Sequence, residues 1–188
     1  MSAQPPQAAP YEVCPVYESD LFQYRLVRPG DAQDLLACYS DPVANAFFNA
    51  DNCHSSFFYS TVDDMRDCIR SWLEEYRLGR YVRFAVVEKR SGIAAGTLEC
   101  FARPETVEGI GRIGILRIDL ATQIETTEAI REILRMVDTH WFALFGVAGM
   151  LTKAIPAAAK RIAALDAEGY RPVRNSLVPF EHYYLKVR

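Results

Sequence analysis

The stretch "LRIDLATQIETTEAIREIL", Leu116 to Leu134, decides how this chain is read. Its first half closes a strand that begins at Arg112, "RIGILRIDLA", rich in β-branched and aliphatic residues. Its second half keeps Ile130, Ile133 and Leu134 on one side, a series continued by Val137, Trp141 and Leu144. That spacing predicts a helix from about Gln123 to Leu144, its start marked by Thr122 with Glu125 three residues on, or by Thr126 or Thr127. A strand feeding a helix N-terminus is a common phosphate cradle, because the first amide N–H groups of a helix lack intrahelical partners. Yet no glycine lies between Gly114 and Gly146, and Glu125 and Glu128 stand where the helix begins. Side chains on Ile124, Glu125 and Thr126 hinder close backbone approach. Glu125 also puts negative charge at the dipole end that favours an anion. The junction has the outline of a phosphate cradle without its chemistry.

Upstream, "YVRFAVVEKRSGIAAGTLECFARPE" (residues 81–105) reads as two strands joined by a turn at Ser91-Gly92, followed by a loop over 104–111. "TVDDMRDCIRSWLEEYRLG" is a helix. Thr61 and Asp64 form a capping-box pattern, Met65, Ile69, Trp72, Leu73 and Tyr76 share a face, and Gly79 ends it. Before it, Phe22 to Val27 is a strand, and a Pro-Gly turn leads to Asp31 as N-cap of a helix stopped by Asp41-Pro42. Residues 43–60 read as a short helix or loop. Downstream, "GMLTKAIP" is a strand, "AAAKRIAALDAEG" a helix closed by Gly169, and "FEHYYLKVR" a last strand. The order gives an α/β (α+β) chain, a mixed sheet covered by helices.

Half of the 188 residues are hydrophobic, which suits one domain over 21–188 behind a disordered or loosely attached segment, residues 1–20. A net charge of -3 and a pI near 5.7 argue against a nucleic-acid face. No run approaches the ~18 apolar residues of a membrane span, and "MSAQPPQAAP" is not a secretory signal. Five cysteines without a CxxC pair point to reduced thiols and a cytoplasmic location. Cys53-His54 has no further ligands around it, so no metal site is expected. "GIGRIG", Gly109 to Gly114, matches a dinucleotide fingerprint only as a string, since it precedes a strand instead of opening a helix.

Several segments together resemble the GNAT superfamily of N-acetyltransferases, nearest its ribosomal-protein branch. "RLVRPGDAQDLLACYSDPVANAFF" is similar to that branch's opening, and "FAVVEKRSGIAAGTLECF" to its central hairpin. "IGILRIDL" resembles the fourth core strand, "TEAIREIL" the helix after it, and "AIPAAAKRIAALDAEGYRPV" the last core strand and helix. The resemblance implies a GNAT-type bent mixed sheet with helices on both faces, whose fourth and fifth core strands splay apart. It implies acetyl-CoA in that gap, with pantetheine on the fourth strand and pyrophosphate on the helix N-terminus. The reaction implied is N-acetyl transfer by direct attack of a small-molecule or peptide amine in a ternary complex, in a possible homodimer.

On that resemblance the cofactor would meet Leu120, Ala121, Gln123, Ile124, Glu125, Thr126 and Thr127, and on the last helix Ala158 and Arg161. The family's glycines are missing from this loop. Ala158 stands at a position where relatives carry asparagine, and Arg161, in place of serine, offers a guanidinium to a phosphate. The general-acid tyrosine of many relatives corresponds to Leu165. Glu99 and Asp119, carboxylates on apolar strands, are the candidate bases, either at the cleft or facing solvent. Phe47, Phe48 and Phe101 are candidates for the acceptor wall. An acyl-CoA-dependent N-acyltransferase and a GNAT-shaped binding or regulatory protein that has lost acetyl-CoA are the two main functions left standing, with a cleft that binds a different small ligand as a third.

Overall fold

The computed structural model describes residues 10–173 and 177–188. Among them, eight strands form one sheet in the order β1-β2-β3-β4-β5-β6-β8-β7. These are β1 (Tyr17–Glu18), β2 (Phe22–Leu26), β3 (Val82–Glu88), β4 (Ala94–Val107), β5 (Gly111–Leu120), β6 (Gly149–Lys153), β7 (Arg171–Pro172) and β8 (Tyr183–Val187). Neighbours run antiparallel except β5 and β6, which are parallel. The helices are α1 (Ala32–Tyr39), α2 (Pro42–Asn45), α3 (Val62–Arg77), α4 (Thr127–Met136), α5 (Phe142–Phe145) and α6 (Ala159–Ala167). α1 and α3 pack together on one face of the sheet, and α4 packs with α6 on the other.

β3 and the first half of β4 are buried on both faces, which is why their sequences read as apolar runs broken only by Arg83, Thr97 and Glu99. Alternation still sorts the faces. Phe84, Leu98 and Ile118 sit opposite one another, and Trp141 stacks on Phe84 at 4.7 Å between ring centroids. Arg83, Glu99 and Arg117 form the adjacent row and face the α1–α3 side, where Tyr39 and Trp72 pack at 5.6 Å. Gly96 is required where β5 crosses it, since a Cβ there would lie 2.5 Å from the Asp119 carbonyl oxygen.

Three expectations change. The loop over 104–111 is mostly strand. β4 runs to Val107 and β5 starts at Gly111, so "GIGRIG" is a hairpin turn and the strand after it. The helix expected from Gln123 begins four residues later. A 3-10 turn spans Thr122–Ile124, and the Thr126 hydroxyl accepts the Ala129 N–H at 3.2 Å, capping α4. α4 then passes through a π-turn at Val137–Trp141 into α5, which ends on left-handed Gly146. Residues 10–20, part of the segment expected to be loose, are attached. β1 pairs with β2, and the Tyr76 hydroxyl donates to the Pro10 carbonyl at 3.1 Å. Residues 1–9 lie outside the described residues.

Candidate functional site

β5 and β6 pair from Ile113–Gly149 to Leu116–Thr152. β5 then continues to Leu120 bonded to β4, while β6 stops at Lys153. The two strands part there, and the Ile118 carbonyl is left on an open edge. Arg161, from the first turn of α6, fills the opening. Its Nη1 donates to the carbonyls of Ile118 and Phe47, each at 3.0 Å. Its Nε and Nη2 grip the two oxygens of Glu125 at 2.9 and 2.8 Å. The guanidinium side chain is 1% exposed and the carboxylate 8%. Such a buried pair is retained only where geometry and extra hydrogen bonds offset the desolvation of two charges, and this one has both.

Beside the pair lies a cavity of about 250 Å³. Val43, Ala44 and Phe47, from α2 and its exit, line it together with Thr122, Glu125 and the residues Ala157, Ala158, Ala159 and Lys160 at the start of α6. Ala158 occupies the N-cap of α6 and provides no side-chain cap.

A second charged cluster sits within the sheet. Arg83 binds Glu99 in a very short contact and donates to Asp119 at 2.8 Å, and Arg117 binds the other Glu99 oxygen at 3.0 Å. The Tyr39 hydroxyl lies 2.7 Å from Thr97 Oγ1 and 3.0 Å from Asp119 Oδ2. The Arg83 guanidinium also lies 4.3 Å from the centre of the Trp72 ring. Burial pushes the Asp119 carboxyl above its ordinary value, against the opposing pull of Arg83 and the Tyr39 hydrogen bond. Asp119 Oδ1, Arg83 Nε and Arg117 Nε have no partner.

The segment after α2 lies across the neighbouring strands. Asp51 takes Lys153 Nζ on both oxygens at 2.8 Å and the Tyr183 hydroxyl at 3.1 Å. Arg117 donates to the Asp51 carbonyl at 2.7 Å and to Cys53 Sγ at 3.1 Å.

Glu125, Arg161, Ala158 and Phe47 therefore converge at the strand opening. Leu120, Ala121 and Ile124 are buried in the main core, Gln123 is exposed, and Thr127 donates its hydroxyl to the Lys160 carbonyl at 3.4 Å. Glu99 and Asp119 come together on Arg83, neither facing solvent nor lining the cavity. Phe48 packs on Tyr39 at 5.0 Å, and Phe101 joins a small cluster with Ile113, Ile115 and Leu151. The sequence reading leaves out Arg83, Arg117 and Lys160. The first two carry a signal, an arginine inside each of two apolar strands, both in the row that registers with Glu99.

Neither a family model nor a curated protein matches the sequence. Solved structures do match. A candidate ribosomal-protein-serine acetyltransferase from Vibrio cholerae aligns with TM-score 0.70 and 11% identity, over 96% of this chain and 100% of that one. Ribosomal-protein-S5-alanine acetyltransferase from Vibrio fischeri aligns with TM-score 0.64 and 18% identity, over 92% and 96%. An acetyltransferase of the GNAT family from Bacillus anthracis gives 0.65 and 12%, over 92% and 98%. The protein has the GNAT fold. At these identities the likeness speaks for architecture, and activity has to be argued from the site. In GNAT terms, the opening between β5 and β6 is where the resemblance puts acetyl-CoA. In this chain the edge carbonyl of Ile118 already has a donor, and the Arg161 guanidinium holds the carboxylate of Glu125.

Proposed function

We propose that this protein is a GNAT-fold binding protein that does not hold acetyl-CoA in the wedge between β5 and β6. The observation that carries the reading is the Arg161–Glu125 pair bonded to the Ile118 carbonyl. A pantetheine amide needs that carbonyl, and a pyrophosphate needs a cationic or N–H-lined pocket free of other anions. Here the carbonyl already accepts from Arg161, and the guanidinium already holds the carboxylate of Glu125. Separating a buried, hydrogen-bonded pair costs about 3–5 kcal/mol, which any cofactor entering the wedge must first offset. The test is thermal unfolding in acetyl-CoA and in CoA up to millimolar concentration, with no rise in Tm expected. A cofactor present at 100 times its Kd would add about 2.7 kcal/mol and a clear rise, which overturns the reading.

The parting of β5 and β6 after Leu116 favours a second reading, an acyl-CoA-dependent N-acyltransferase acting on a small-molecule or peptide amine. There, pyrophosphate would replace Glu125 on Arg161. Asp119 has its pKa moved in the direction a general base requires, although it lies beneath Tyr39. The same unfolding series separates the two readings.

A further inference from the structure

The wedge is closed, but the cavity beside it is open, and its walls have one chemistry. Residues from α2 and its exit and from the start of α6 supply aliphatic and aromatic surface, so the interior rewards an apolar group. The volume of about 250 Å³ is at the small end for ligand sites and suits a molecule of about eight heavy atoms, taking ~30 Å³ for each water-sized group. The charges at its edge are unequal. Glu125 has both oxygens engaged by Arg161. Asp41, at the start of α2, is engaged by the Val43 N–H and the Thr122 hydroxyl. Lys160 is exposed and belongs to none of the ion pairs among the described residues.

We infer that this cavity binds a small aliphatic monocarboxylate, its chain between Phe47 and Ala157 and its carboxylate at the Lys160 ammonium. The assignment rests on the reading that acyl-CoA does not occupy the wedge, because Glu125 lines the cavity only while Arg161 holds it. It goes further by naming a ligand class and the residue that selects for charge. Binding of so few atoms is weak, with a Kd of about 0.1–1 mM.

Hexanoate and hexan-1-ol, titrated into the full chain and followed by amide chemical shifts, test this directly. Hexanoate is expected to shift residues 43–47, 122–125 and 157–160, and to bind about tenfold more tightly than the alcohol. Lys160→Ala should erase that preference. Ala157→Leu, which fills the cavity from its exposed side, should abolish binding of both. Equal affinity for the alcohol, shifts elsewhere, no response to hexanoate, or unchanged binding in Ala157→Leu each overturn the inference. Acetyl-CoA titrated into the same sample keeps the two readings apart. Silence toward both ligands sinks the carboxylate site alone, whereas tight acetyl-CoA binding sinks the closed wedge itself.

Discussion

The protein buries two arginine–carboxylate clusters, and they differ in what surrounds them. Arg83, Glu99 and Arg117 lie across three intact strands in a row set by the β3–β4–β5 register, with Asp119 two residues further along β5 on the same face. Arg161 and Glu125 lie where the sheet comes apart, joining α6 to the turn before α4. The first cluster leaves donors and acceptors unpartnered, whereas Arg161 and Glu125 leave none. The contrast teaches that a charge inside a sheet is held by its neighbours' geometry, while a charge in an opening has to complete its own hydrogen bonding. In the wedge pair, Glu125 takes two of the Arg161 nitrogens and the Ile118 and Phe47 carbonyls take the third.

The sharpest way to break this contrast is to remove the central cation. Arg83→Met leaves Asp119 buried without its ion-pair partner and Glu99 with Arg117 alone, and should cost about 3–5 kcal/mol, read from the urea midpoint at unchanged m-value. Arg161→Met should cost about 3 kcal/mol, the low end of that range, because Glu125 lines a cavity that water can enter. If the pair acts as a unit, Glu125→Leu combined with Arg161→Met should recover most of that loss; strictly additive losses would contradict it. Thr126→Ala removes the cap that starts α4 and should cost about 1 kcal/mol.

The smallest effect concerns pH. Burial raises the Asp119 carboxyl, so the folded protein holds that proton more tightly than the unfolded chain. Stability from this group is full below the ordinary value of 3.8 and is lost as pH rises through the higher folded value. Urea midpoints of wild type and Asp119→Asn, compared from about pH 4 to 7, should therefore show that falling component in the wild type alone. Parallel profiles would mean that Arg83 and Tyr39 hold the carboxyl at its ordinary value.

Much of the fold was legible because strand and helix periods differ. The hairpin of β3 and β4, the strand through Ile118 and the face of α3 follow from local pattern. β1 and β7 were not legible, since two residues carry no period. The start of α4 stays open in the sequence because Thr122, Thr126 and Thr127 are all plausible caps on paper. What selects Thr126 is tertiary, Ile124 turning into the core and Glu125 being drawn to an arginine 36 positions away. Glu99 and Asp119 stood out as carboxylates on apolar strands, but their partners could be found only by fixing the register, and the bulge between Val86 and Val87 hides it. The resemblance singled out both Glu125 and Arg161 and paired the arginine with a phosphate. It took the fold to show that they meet each other.

Calorimetric titration of CoA into the wild type and into Glu125→Gly tests the closed wedge most directly. The wild type should give no binding heat at millimolar CoA, and the variant, with Arg161 freed and the loop opened, should bind. Micromolar binding to the wild type, unaltered by the substitution, would contradict the account.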